Sequence, residues 1–201
     1  MPKTYFKQIE KNLSHSCVVG VDEVGRGSLA GPMVVGLTVY DDSLKKLKGL
    51  NDSKKMTDKL RRTMVSKING VVAVVWPHEI DKFGLTKATE TAIRRGLRLL
   101  KLQGFKPDCI LMDGKVGFDI DGIECQCFVG GDGFIRSIAA SSVLAKVFRD
   151  NMMQLYASLY RDYGLDANVG YGTRTHRSAI LKSGSVRIHR QSFLEKIYAS
   201  K

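Results

Sequence analysis

The sequence predicts an α/β protein, a mixed β-sheet flanked by helices. Three observations lead there: three β-rich runs follow closely on one another before residue 77, helices and strands alternate after them, and the composition is able to fill a core. The 201 residues are 43% hydrophobic and 26% charged, with 20 glycines and 4 prolines. That balance excludes disordered, collagen-like and disulfide-scaffold classes and suits one medium domain with at most a small appended piece.

Each element has its own local reason. SCVVGVD at 16–22 is a buried β-rich run that stops at the acidic pair Asp22 and Glu23. The glycines and proline of 23–32 make a turn, and MVVGLTVY at 33–40 returns as its hairpin-like partner. TDKLRRTMVSKI at 57–68 has a Thr N-cap and apolar residues at helical spacing, and it ends at Asn69-Gly70. GVVAVVW at 70–76 is a third strand closed by Pro77, and 86–103 is an amphipathic helix ended by Gly104. DCILMDG repeats the pattern of an apolar strand ending in an acid, here Asp113. IECQCFVGGDG at 123–133 runs into a Gly-rich turn around Asp132, and 135–160 is helical with small residues early that allow close packing on a sheet. The remainder carries a Gly-Tyr-Gly turn at 170–172, a helix at 175–183 and a basic tail.

Charge narrows the partners. The chain carries 32 Lys and Arg against 20 Asp and Glu, a net +12, with pI near 9.6. From residue 171 onward seven cations, ending at Lys201, face Glu195 alone. Such a balance favours a polyanion such as nucleic acid, since bound cations release counterions from phosphates. The cysteines Cys17, Cys109, Cys125 and Cys127 contain no CxxC pair and read as buried reduced thiols. The polar start lacks a secretory h-region, and no stretch approaches a membrane span, so a cytoplasmic protein is expected.

Acids at strand ends converge where a mixed sheet opens. Asp22, Glu23 and Asp113 fit that placement, and Asp132 sits just ahead of a helix whose N-terminal dipole favours it. Four carboxylates gathered together repel unless a divalent cation neutralises them, and oxygen-only ligands select Mg²⁺ or Mn²⁺. In a basic protein this suits a two-metal phosphodiesterase. Taken singly, Asp113 or Asp132 reads as a turn cap. His78 and His176 lack a partner at metal spacing and read as surface or packing residues.

GVDEVGRGSLAGP at 20–32, NDSKK at 51–55, LMDG at 111–114, GD followed by SIAASSVLAKVFRD at 131–150, GYGT at 170–173 and HRQSF at 189–193 together resemble the ribonuclease HII family, in order along nearly the whole chain. The resemblance implies an RNase H-like fold over 1–160 with a C-terminal helical substrate-binding extension over 161–201. It implies an endonuclease that cuts the RNA strand of RNA–DNA hybrids and nicks DNA 5′ to embedded ribonucleotides, leaving 5′-phosphate and 3′-hydroxyl ends. Asp22, Glu23, Asp113 and Asp132 would hold the metal, Gly25, Arg26 and Gly27 would contact the ribonucleotide, and Tyr171 would close on the same sugar. Only the 2′-hydroxyl marks a ribonucleotide, so groups must stand very close to the sugar, and glycine permits that approach.

Lys54, Lys55, Lys146 and Arg149 are further expected contacts to the substrate backbone, as is Arg190, while His189 either touches phosphate or braces the C-terminal segment. Ser141 and Ser142 carry no catalytic role in this reading. Where the family usually has lysine before the third acidic motif this chain has Gly130, and Gly133 stands where serine is common. Asn168-Val169 replaces a His-Lys pair. These changes remove cations and imply a weaker grip on the backbone or an altered metal preference. Two alternatives stay open: another RNase H-like two-metal nuclease acting on DNA junctions, and a non-catalytic basic RNA-binding protein.

Overall fold

The computed structural model describes residues 9–199; Lys201 of the basic tail and the first eight residues of the polar start lie outside them. Five strands form one sheet: β1 (Val18–Val24), β2 (Met33–Val39), β3 (Gly70–Val75), β4 (Cys109–Asp113) and β5 (Glu124–Phe128), in the order β3-β2-β1-β4-β5. The β1–β2 and β2–β3 pairs are antiparallel, and β1–β4 and β4–β5 are parallel. The helices are α1 (Ile9–Asn12), α2 (Asp42–Lys46), α3 (Asp58–Val65), α4 (Pro77–Leu102), α5 (Arg136–Leu159), α6 (Leu165–Asn168), α7 (Arg174–Ser183) and α8 (Gln191–Tyr198).

The two long helices cover opposite faces. Alternate residues of β1–β4, among them Val19, Val21, Val35, Leu37 and Ile110, meet Ala92, Ile93 and Leu100 of α4 in the main core. The other face presents Gly20 and Gly36 to α5, where a Cβ on either would overlap the backbone of Ser137 or Ser141. The small residues of α5 are thus matched by glycines in the sheet, and helix and strands touch backbone to backbone.

Several elements depart from the sequence expectation. Pro77 opens α4 rather than closing β3, because its fixed φ and missing N–H suit the first helical position and Glu79 accepts from Trp76 N at 2.9 Å. The helix therefore starts nine residues early and breaks at Gly84, whose φ is 73°. Within the basic tail, α8 forms because the Asp81 carboxylate, from α4, accepts from Gln191 N (2.9 Å), Ser192 N (3.0 Å) and Ser192 Oγ (2.6 Å). Helix α5 is capped from far away as well: Glu10 accepts from Ser137 N at 2.8 Å and Ser137 Oγ at 3.0 Å. All four cysteines are free as expected, but only Cys109 is buried, its thiol pushed up to about 11 by burial, while Cys17, Cys125 and Cys127 are half-buried.

Candidate active site

Strand register brings the acids together. The β1–β4 ladder ends at Val21–Met112, and the next residues are Asp22 on β1 and Asp113 on β4, on adjacent strands facing α5. Asp113 Oδ1 accepts from Gly131 N at 2.8 Å, which ties the turn carrying Asp132 to the end of β4. Glu23, one residue on from Asp22, takes the opposite side of the strand, where Arg26 Nη1 lies 3.5 Å from its carboxylate and 3.3 Å from Thr89 Oγ1 of α4. All four acids line one cavity of about 450 Å³, together with Gly25, Arg26, Gly27, Lys54, Lys146 and Tyr171. A second cavity of about 290 Å³ shares Glu23, Arg26 and Asp113 and extends past Thr86, Thr89 and Lys115.

The electrostatics are those of charge crowded out of water. Burial raises the Asp22 carboxyl well above the usual range; a hydrogen bond from Ser142 opposes the shift, and the charges of Glu23, Asp113 and Asp132 add to it. Burial likewise raises Glu23, with Arg26 opposing it. Burial raises Asp132, Asp52 and Asp113 reinforce that, and Lys54 and Lys55 oppose it. Four carboxylates crowded round one cavity offer hard oxygen donors that fit Mg²⁺ or Mn²⁺ in type and charge. Among the described residues no three His, Cys, Asp or Glu side chains are already drawn into ion-holding geometry. The acids surround the cavity without a finished coordination shell.

The two loops around the acids are stitched to each other. Leu29 N and Ala30 N donate to Gly170 O at 2.8 and 3.1 Å, and a Cβ at Gly170 would overlap the Ala30 carbonyl. Tyr171, 38% exposed, stands beside Gly25–Gly27 for that reason. The two glycines of the loop differ in cause. Gly25 has φ +90°, and a Cβ there would fall on Arg149 Nε; around Gly27 nothing lies within 4 Å of where a Cβ would be.

Lys54 and Lys146 reach the cavity, the latter while paired to Asp150 at 2.8 Å, and Lys55 pairs with Asp52 at 3.7 Å. Arg149, His189 and Arg190 do not reach it. They are 0%, 2% and 0% exposed, and their polar atoms are taken up inside the protein. Arg149 donates to the carbonyls of Pro32, Ala30 and Val169 and to Ser28 Oγ, and Arg190 to those of Gly25, Arg26 and Gly31. His189 packs ring against ring with His176, their Nε2 atoms 3.2 Å apart. Direct substrate contact by these three is therefore corrected to an internal brace.

Ser53 and Ser142 line the cavity although sequence reading gave them no role, and their hydroxyls lie 2.9 Å apart. Their pairing joins the NDSKK turn to α5 under Asp22. The matching motifs NDSKK and ASSVLAK both contain them, but only the fold shows that they meet. Of the departures, Gly130 and Gly133 have open space where a Cβ would stand. Asn168 is buried, donating to Tyr163 O at 2.7 Å and accepting from Gly170 N at 2.8 Å, so it shapes the turn that carries Tyr171.

Comparison with known proteins gives the family and the fold. A family model described as Ribonuclease HII matches residues 19–196. The chain is 42% identical over 187 residues to the ribonuclease HII of Chlorobium luteolum, covering 88% of each, and 38% identical over 200 residues to that of Clostridium acetobutylicum, covering 94% of this chain and 77% of the relative. Among solved structures it resembles the ribonuclease H2 of Pyrococcus horikoshii (TM-score 0.66, 25% identity, 92% and 98% covered). It also resembles a chain of the PCNA:RNase HII complex from Archaeoglobus fulgidus (TM-score 0.73, 22% identity, 88% and 94% covered). A Bst-RNase HIII solved with Mn²⁺ shares the fold at TM-score 0.71 and 19% identity, with 94% and 71% covered.

Proposed function

The chain belongs to the ribonuclease HII family and is an endoribonuclease of the RNase H fold, and from that premise we propose that it uses Mg²⁺ or Mn²⁺ to hydrolyse the RNA strand of RNA–DNA hybrids and to nick duplex DNA 5′ to embedded ribonucleotides. The carrying observation is the placement of Gly27: no internal contact requires glycine there, yet it lines the same cavity as the four acids and Tyr171. A missing Cβ with nothing inside to explain it supports close approach of something from outside, and a ribose is the group the chemistry asks for.

In this reading Asp22, Glu23, Asp113 and Asp132 hold the divalent cations. When bound, such ions acidify water and neutralise charge on the attacking and leaving oxygens of an in-line displacement at phosphorus. The chain's own groups do the rest. Ser142, beside Asp22, favours its charged form, and Asp113 fixes the turn that aims Asp132. Arg26, Lys54 and Lys146 bind backbone phosphates around the cleaved bond, and Tyr171 offers its ring to the sugar. Water attacks phosphorus and O3′ leaves, giving 5′-phosphate and 3′-hydroxyl ends. The same reading treats 1–160 as the catalytic part and 161–201 as a substrate-binding extension, supported by the bonds from Leu29 and Ala30 to Gly170. It places the enzyme in the cytoplasm with the nucleic acid it repairs.

The test is a duplex with one embedded ribonucleotide, incubated with wild type and Asp22→Asn in each metal. Nicking at the ribonucleotide by wild type alone is expected. Equal cutting by both proteins refutes the site. Cleavage of DNA junctions lacking any 2′-hydroxyl points to the other nuclease class, and metal-independent binding without nicking points to an RNA-binding protein.

A further inference from the structure

Two arginines lie fully buried behind the Gly25–Gly27 loop, and every hydrogen bond they make goes to a neutral acceptor. Burying guanidinium charge without a carboxylate is costly, and apolar side chains of similar volume fill an interior at lower cost. The strain is visible in Arg190, whose pKa falls to about 9 through burial and then through the charge of Arg149. What the pair does for the loop is geometric. Arg190 Nη2 donates to Gly25 O and Nη1 to Arg26 O, both at 2.7 Å, and Ser28 Oγ adds a bond to Gly25 O at 2.9 Å. In a trans peptide the C=O of one residue and the N–H of the next point opposite ways. Turning the Gly25 and Arg26 carbonyls inward therefore turns the N–H groups of Arg26 and Gly27 outward, on the exposed side of the loop that lines the cavity. Among the described residues neither N–H has an acceptor in the protein.

Arg149 links this loop to the other side of the cavity. Besides holding Pro32, Ala30 and Ser28, it donates to Val169 O at 2.9 Å and lies 5.5 Å from the centre of the Tyr171 ring. Val169 is a β-branched residue at φ +41°, a conformation that persists only when its surroundings enforce it.

We propose that Arg149 and Arg190 are positioning residues for ribonucleotide recognition: from beneath the loops they hold the carbonyls inward, so that the Arg26 and Gly27 N–H groups and the Tyr171 ring face one ribose together. This rests on the function proposed above and adds the device that sets its selectivity. Lysine at either site keeps the charge and most of the volume but loses the forked geometry.

The experiment measures the affinity of wild type, R190K and R149K for a duplex with one embedded ribonucleotide and for the matched all-DNA duplex, in EDTA, alongside kcat and KM for nicking. R190K is expected to lower the ribonucleotide-to-DNA affinity ratio about tenfold, the scale of one mis-aimed hydrogen-bond pair. The rise in Tm on adding Mn²⁺ stays as in wild type, because the acids are untouched. S28A, a milder cut in the same brace, is expected to lower the ratio about threefold and serves where a lysine variant does not fold. A wild-type ratio in R190K, or in S28A when the lysine variants are unfolded, overturns the proposal even if Tm has dropped. Absence of any ribonucleotide preference in wild type refutes the parent reading instead.

Discussion

Alanine at the two glycines of the loop should separate folding from recognition. At Gly25 the backbone sits at φ +90° and a Cβ would fall on Arg149 Nε, 2.8 Å from its Cδ and Cζ. Left-handed strain costs roughly 1–2 kcal/mol. Displacing Arg149 also loosens a buried guanidinium that makes four hydrogen bonds, where each buried group left unpaired costs roughly 1–3 kcal/mol. Gly25→Ala is therefore expected to lose about 3 kcal/mol, or about 6–12 °C in Tm for a chain of this size. At Gly27 there is open space and no left-handed φ, so Gly27→Ala should stay within about 0.5 kcal/mol of wild type. In the proposed function its methyl nonetheless enters the space given to the ribose, and nicking at an embedded ribonucleotide should fall by about a hundredfold or more, the scale of a small misplacement at a reacting centre. Calorimetry and single-turnover nicking check both halves. A Gly27→Ala protein that loses as much stability as Gly25→Ala, or that nicks at the wild-type rate, refutes the reasoning.

Other outcomes follow from the same structure. Burial holds His189 down at about 4, below the ordinary histidine value of 6.5, so the folded protein binds fewer protons there than the unfolded chain. Its contribution to stability is complete above about 6.5 and is lost as pH falls toward 4, up to about 3 kcal/mol, and His189→Gln should flatten that part of the Tm profile measured by calorimetry. Gly130→Lys restores a cation at the edge of the site and should steepen the dependence of log affinity on log salt by about 0.9, but with φ +69° at that position it should cost about 1 kcal/mol in denaturant unfolding. An unchanged salt slope argues that Gly130 lies off the substrate path. Glu10→Ala uncaps α5 and should cost about 1–2 kcal/mol in thermal unfolding while leaving KM for nicking unaltered.

Much of the site was legible locally. Asp22 and Glu23 before a Gly-Arg-Gly turn, Asp113 at the end of an apolar run and Asp132 ahead of a helix are short-range patterns, and strand register carries them to one cavity. Arg149 and Arg190 are not legible as internal braces because a cation in the sequence looks the same whether it meets a phosphate or, as each of these does, three backbone carbonyls. Ser53 and Ser142 went unassigned because a hydroxyl gains a role only from what it touches. The start of α4 at Pro77 and the whole of α8 were missed because proline reads as a strand end and because the cap of α8 comes from Asp81, on another helix.

The sequence by itself determined the class of fold, the order of most strands and long helices, the basic character, and which carboxylates stand at strand ends, since apolar periodicity, turn residues and charge act over a few neighbours. Tertiary structure alone decided which cations face the cavity and which lie beneath it, what caps α5 and α8, and why one loop glycine serves an internal arginine while the other faces open space. Those outcomes depend on contacts between residues far apart in the chain, where burial and hydrogen-bond geometry, rather than residue type, set what a side chain does.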